Sequence, residues 1–89
     1  MDKKMILEKN VACRVRKIRD RYILIGGKKC FELNVLGKHI WDEIDGQKSV
    51  SDMINKFENE YDVTMDVLEN DICCFLESLL LEGIIDVVN

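Results

Sequence analysis

Residues 30–46, C-F-E-L-N-V-L-G-K-H-I-W-D-E-I-D-G, change their hydrophobic period with no loop between the two halves. Cys30 to Leu33 reads as the end of a β-strand, with Phe31 and Leu33 pointing one way and Lys29, Glu32 and Asn34 flanking them. Leu36, Ile40 and Ile44 then recur at helical spacing, with Trp41 beside them, and make one apolar face over Val35 to Asp45. Asn34 between the halves is an N-cap, its side-chain oxygen being able to accept an orphan N–H of the first turn. Gly46 can take the left-handed conformation that ends a helix. A strand and a helix joined end to end form a fixed corner, and the rest of the chain has to pack around it.

Upstream, Val11 to Ile18 alternates, with Val11, Cys13 and Val15 on one side and Ala12, Arg14 and Arg16 on the other, which predicts a half-buried strand. Arg19-Asp20-Arg21 is a tight polar connection to a second strand, Tyr22 to Ile25, rich in β-formers. Gly26-Gly27 signals a turn into the third strand, which runs from Lys28 or Lys29 to Leu33. Three short strands with short turns make an antiparallel meander whose first and third strands lie at edges. Met1 to Asn10 is expected to be a flexible arm in which Met5-Ile6-Leu7 could pack.

Downstream, Ser49 with Asp52 resembles a capping box, and Met53, Ile54, Phe57 and Tyr61 continue as the face of a second helix. Thr64 is a candidate N-cap for a third helix from Met65 to Glu82, whose face is Leu68, Ile72, Phe75, Leu76 and Leu79, with Leu80 at its margin. Gly83 fits the C′ position. Ile84-Ile85 and Val87-Val88 form a short apolar tail that packs back or adds a strand. The fold class is therefore α+β, one domain over 1–89, with a three-stranded antiparallel sheet followed by a three-helix bundle, an arrangement like a winged helix-turn-helix.

Composition removes several function classes. The 89 residues are 47% hydrophobic, with no proline and five glycines, so one modest core is expected and disorder is not. No apolar run is long enough to span a membrane, and the N-terminus has no secretory pattern, which points to a cytoplasmic protein. Residues 1–45 hold 11 lysines and arginines against 7 acids, whereas residues 46–89 hold 2 against 10. The basic half can attract an acidic partner and the acidic half repels nucleic acid, although solvated surface accounts for most such charges. Cys13, Cys30, Cys73 and Cys74 lack a C-x-x-C spacing, and His39 is the only histidine, so neither a metal site nor any cofactor is expected. Reduced cysteines acting as small hydrophobes fit best.

A phosphate loop and a nucleophile–base pair are both missing, so an enzyme is not expected. A winged-helix DNA-binding regulator is the alternative. Against it, the third helix carries Asp66, Glu69, Asp71, Glu77 and Glu82 with no lysine or arginine, which is the wrong sign for phosphate contacts.

The segment C-F-E-L-N-V-L-G-K-H-I-W resembles the strand-to-helix signature of PqqD-like proteins: an aromatic, Leu-Asn, a small residue, then Ile-Trp. S-V-S-D-M-I-N-K-F-E-N-E-Y-D-V is similar to that family's second helix, and N-D-I-C-C-F-L-E-S-L-L-L-E-G-I-I to its third, so the likeness spans about Val11 to Ile85. The resemblance implies a RiPP recognition element. Such a domain is a non-catalytic chaperone that binds the leader segment of a ribosomally made precursor peptide and presents it to a modifying enzyme or leader protease. The leader adds as a strand beside the third strand, Lys29, Cys30, Phe31, Glu32 and Leu33, in a groove against the third helix. Free edge N–H and C=O groups suit that mode. Cys30 and Glu32 on the strand, and Asp71, Cys74, Phe75 and Ser78 on the helix, are the expected pocket residues. Plain core packing is an equal account of Phe75, and the small residues can equally serve close packing against the sheet. Arg14 and Arg16 would help hold an acidic leader if the sheet's basic side lies near the groove. The pathways implied are lasso-peptide, radical-SAM or PQQ biosynthesis. Nucleic acid and membrane are not expected partners, and a homodimer through paired edge strands is a further alternative.

Overall fold

The computed structural model describes residues 1–26 and 29–88, so the expected Gly26-Gly27 turn falls partly outside the described residues. Eight elements follow in order: β1 (Leu7–Lys9), β2 (Arg14–Ile18), β3 (Arg21–Gly26), β4 (Lys29–Leu33), α1 (Val35–Glu43), α2 (Val50–Glu60), α3 (Met65–Leu81) and β5 (Ile85–Val87). The three-stranded antiparallel sheet has the order β2-β3-β4 and is followed by three helices, an α+β arrangement. Its extents, 33 × 32 × 18 Å, leave room in the thin direction for one sheet and one helical layer.

The capping chemistry explains where the helices start. Asn34 Oδ1 accepts from the Gly37 N–H at 2.7 Å, so β4 turns into α1 within one residue. Ser49 and Asp52 form both hydrogen bonds of a capping box at α2, at 3.1 and 3.0 Å. Thr64 occupies the N-cap of α3 but makes no side-chain cap bond. The first helix stops at Glu43, two residues short of Asp45. Asp45 Oδ1 instead accepts the N–H groups of Gln47 (2.9 Å) and Lys48 (2.8 Å), a local turn that competes with the helix. Gly83, φ 71°, follows the C-cap of α3 as expected, whereas Gly46, φ 76°, lies two residues beyond the Ile44 C-cap of α1 and does not end that helix.

The core is one cluster. Leu24 from the sheet, Ile40, Trp41 and Ile44 from the α1 region, Val50, Met53, Ile54 and Phe57 from α2, and Leu68, Ile72, Leu76 and Leu79 from α3 all contribute. Leu7, Ile84 and Ile85 belong to it as well, each at most 2% exposed.

Within residues 1–10 the Met5-Ile6-Leu7 segment does pack, and a flexible arm does not extend through Leu7–Lys9. β1 pairs antiparallel with β5, placing Leu7 opposite Val87 and Lys9 opposite Ile85. The Leu7 carbonyl accepts from Gly46 N (2.9 Å), Met5 O from Val50 N (3.0 Å) and Ile6 O from Val88 N (2.8 Å). The N-terminal segment is thus stitched between the α1–α2 loop and the C-terminal strand. The first strand of the meander also begins later than its alternation suggested. Asn10 Oδ1 accepts from Ala12 N at 2.9 Å and Asn10 O from Cys13 N at 3.0 Å, so 10–13 is a turn and Val11 is fully exposed.

Glu43, with a side chain 14% exposed, ties α1 to α2 by accepting from Lys48 and from Lys56 Nζ (2.5 Å). Those two hydrogen bonds hold its carboxyl below the ordinary glutamate range. A carboxyl depressed in the folded state adds stability above the unfolded value and loses it as pH falls through the folded one. Glu43→Gln is therefore expected to lower the urea midpoint at neutral pH, with the gap to wild type closing over roughly pH 5 to 3. Leu7→Ala is expected to cost about 2–5 kcal/mol in urea unfolding, where a loose arm would give under about 0.5 kcal/mol.

Candidate functional site

β4 pairs with β3 alone among the described residues, in the register Tyr22 opposite Leu33, Leu24 opposite Phe31 and Gly26 opposite Lys29. Its other side is an open edge, where alternate residues present N–H and C=O groups to a potential extra strand. Side chains alternate across β4. Leu33 is 6% exposed and Phe31 packs against the core, so both face the helices. Lys29 shares that face, and its Nζ reaches Glu82 Oε2 at the C-cap of α3, 2.7 Å away.

Cys30 and Glu32 therefore stand on the opposite face. Both are exposed, and Glu32 pairs with Arg21 Nη1 at 3.4 Å. The structure brings Lys29, Phe31 and Leu33 toward α3 and does not bring Cys30 or Glu32 there. Strand parity sets those two residues apart from the α3 side: the inward residues of β4 are Phe31, half-buried, and Leu33, buried, and their neighbours point outward. Arg14 and Arg16 are likewise remote from this edge. They lie on β2, at the far side of the sheet.

On α3 two stripes separate. Leu68, Ile72, Leu76 and Leu79 are buried, whereas Asp71, Cys74 and Ser78 are exposed one turn apart. Ser78 Oγ donates to Cys74 O at 3.0 Å, which turns the hydroxyl back on its own helix and keeps that stripe low. Phe75 sits between the stripes, half-buried.

The residue that holds Phe75 in place was not singled out in the sequence. Gly37 is buried in the first turn of α1, and a Cβ there would lie 3.5 Å from Phe75 Cε1, 3.6 Å from Leu33 Cδ2 and 3.1 Å from Asn34 Oδ1. A methyl there would touch Phe75 and Leu33 at ordinary van der Waals distance and crowd only Asn34 Oδ1, whereas a longer side chain would run into the ring. A glycine inside a helical pattern, at a position where it weakens the helix, was the available signal. Beside this contact a cleft of about 290 Å³ opens between the start of α1 and the middle of α3, lined by Asn34, Leu36, Ile40, Asp71, Cys74 and Phe75.

The chemistry of these walls suits binding. Burial pushes the Cys73 thiol up, which keeps it protonated at neutral pH, and all four cysteines are free. No cluster of three metal-ligating side chains exists among the described residues, and no helix there is long and apolar enough to cross a membrane. His39 Nδ1 lies 2.5 Å from the Tyr61 hydroxyl, on the surface formed by α1 and the end of α2.

The order of a β-meander, a capped corner and an acidic third helix agrees with a family model described as coenzyme PQQ synthesis protein D, which matches residues 20–85. The chain belongs to the PqqD family. Among solved structures it is similar to TbiB1 in complex with the TbiA(beta) leader peptide. The TM-score is 0.74 and the identity 22%, over 89% of this chain and 94% of that one, a likeness of fold. No curated protein sequence matches it significantly.

As a PqqD-family corner, the Gly37–Phe75 contact is expected to tolerate little bulk. Gly37→Leu should lower stability by about 1–3 kcal/mol in chemical denaturation, by displacing Phe75 and Leu33. Gly37→Ala should stay near neutral, because the helix propensity gain of about 1 kcal/mol offsets the 3.1 Å approach to Asn34.

Proposed function

We propose that this chain is a non-catalytic adaptor that binds the leader segment of a ribosomally synthesised precursor peptide. The leader adds as a strand to the open edge of β4 and lies in the groove against α3. The chain then presents the peptide to a modifying enzyme or leader protease of a lasso-peptide or radical-SAM type pathway. The observation that carries this reading is the open edge of β4 beside the Asn34–Gly37–Phe75 cleft. Family membership supports it, and so does the shared fold with TbiB1, which was solved with a leader peptide.

The division of labour follows from strand addition. Backbone hydrogen bonds to β4 supply sequence-independent affinity, and the cleft supplies selectivity for one or two leader side chains. Every second leader residue faces α3, where Phe75 and the aliphatic part of Leu36 favour an apolar anchor and Asp71 favours a basic neighbour. DNA binding has no comparable support, since α3 presents Asp71 and Glu77 and no basic residue.

A fluorescence-polarisation titration against leader peptides encoded beside the gene tests the reading. Saturable binding at micromolar or tighter affinity is expected, competed by unlabelled leader and not by core peptide. Cys74→Arg and Ser78→Arg alter exposed positions, so they should leave the fold intact and weaken leader binding by about tenfold or more. Glu32→Lys, on the other face of β4, should weaken it less. Unchanged affinity in both helix variants would show that the leader does not lie along α3.

A further inference from the structure

The face of the sheet turned away from the helices carries no covering element among the described residues. Leu24, Val15 and Phe31 pack into the core in one register row, so the rows on either side of it point outward. One outward row is Arg14–Ile25–Cys30, the next is Arg16–Ile23–Glu32, and the last is Ile18–Arg21. The result is a patch of three isoleucines with Arg14 and Arg16 along its β2 side, Arg21 at the hairpin, and Cys30 and Glu32 along its β4 side.

Its apolar and its charged parts are both unmatched. Ile18 is 54% exposed, and Ile23 and Ile25 are half-buried with only their strand neighbours beside them. Arg21 meets Glu32, but Arg14 and Arg16 form no ion pair among the described residues. A concavity of about 590 Å³ opens at the hairpin end between Ile18, Arg19, Asp20, Arg21 and Ile23. These positive charges sit on a chain whose net charge is −4, so they are concentrated on this face against the overall balance. Apolar area flanked by arginine is the composition of a protein-docking surface, with arginine favoured at such sites and suited to carboxylates.

We propose that this outer sheet face docks an acidic, partly apolar surface of the processing enzyme, while the leader occupies the β4–α3 side. This rests on the adaptor reading and deepens it. An adaptor has to hold two partners at once, and the two faces of the sheet keep them apart. Arginine pairs with the enzyme's carboxylates around the rim, and Ile18 and Ile23 enter its apolar centre. Nucleic acid fits less well, because the isoleucines occupy the middle of the face where phosphate contacts would need cations.

The test is a biolayer-interferometry titration of the chain with the modifying enzyme or leader protease encoded beside its gene, with leader affinity measured in parallel. Arg14→Glu combined with Arg16→Glu is expected to weaken enzyme binding by about tenfold or more and leave leader affinity within about twofold. Ile18→Ser, at an exposed hairpin position, is expected to weaken enzyme binding without touching the charges. Raising salt from roughly 50 to 300 mM should weaken the wild-type complex. Absence of enzyme binding by wild type would overturn the proposal, as would enzyme affinity unchanged in both variants. Loss of duplex DNA binding or of self-association in the arginine variant, with enzyme affinity intact, would also overturn it. Failure of every leader to bind would defeat the adaptor reading alone, because the enzyme titration still reads this face by itself.

Discussion

Asn34 holds the molecule's one indispensable corner. By accepting the Gly37 N–H it lets a strand end and a helix begin in a single residue, so the direction of β4 sets the direction of α1. Gly37 then leaves room beside both Phe75 of α3 and Leu33 of β4, each of which a Cβ at that position would touch. The β4–α1 corner and the distant helix α3 thus come together around Gly37.

At the opposite end the tie is electrostatic. Lys29 of β4 reaches Glu82 at the C-cap of α3, an exposed pair of modest worth. The groove is therefore anchored firmly by packing at the Asn34 end and loosely by charge at the hairpin end. On the proposed adaptor reading, a peptide strand added beside β4 would displace the loose tie without disturbing the core. The second sheet, β1 with β5, lies outside this region and closes the helical layer, so its burial supports stability rather than the site.

Much of this was legible in the residues. Local chemistry with a short reach was readable: the caps at Asn34, Ser49 and Asp52, the glycine stop at Gly83, and the 68–72–76–79 stripe of α3 all form within a few residues of one another. What could not be read depends on partners far along the chain. Leu7 shows no period of its own, and its strand partner lies 80 residues away at Val87. Val11 and Cys13 alternate like a strand, but the side chain of Asn10 offers the backbone a turn instead. Cys30 and Glu32 were placed in the groove because they flank the right segment. Parity, which is decided by the burial of Phe31 and Leu33, turns them to the other face. Gly37 was visible as a glycine in a helix, but its meaning depended on knowing what packs against it.

Strand addition at β4 is the claim on which the functional account stands, and residue-resolved amide hydrogen exchange measures it most directly. With saturating leader peptide, outward-facing amides within residues 29–33 should slow by about tenfold or more, while those of β2 keep their free-state rates. Protection confined to β2 or to the helices, with the β4 edge still exchanging freely, would contradict the account.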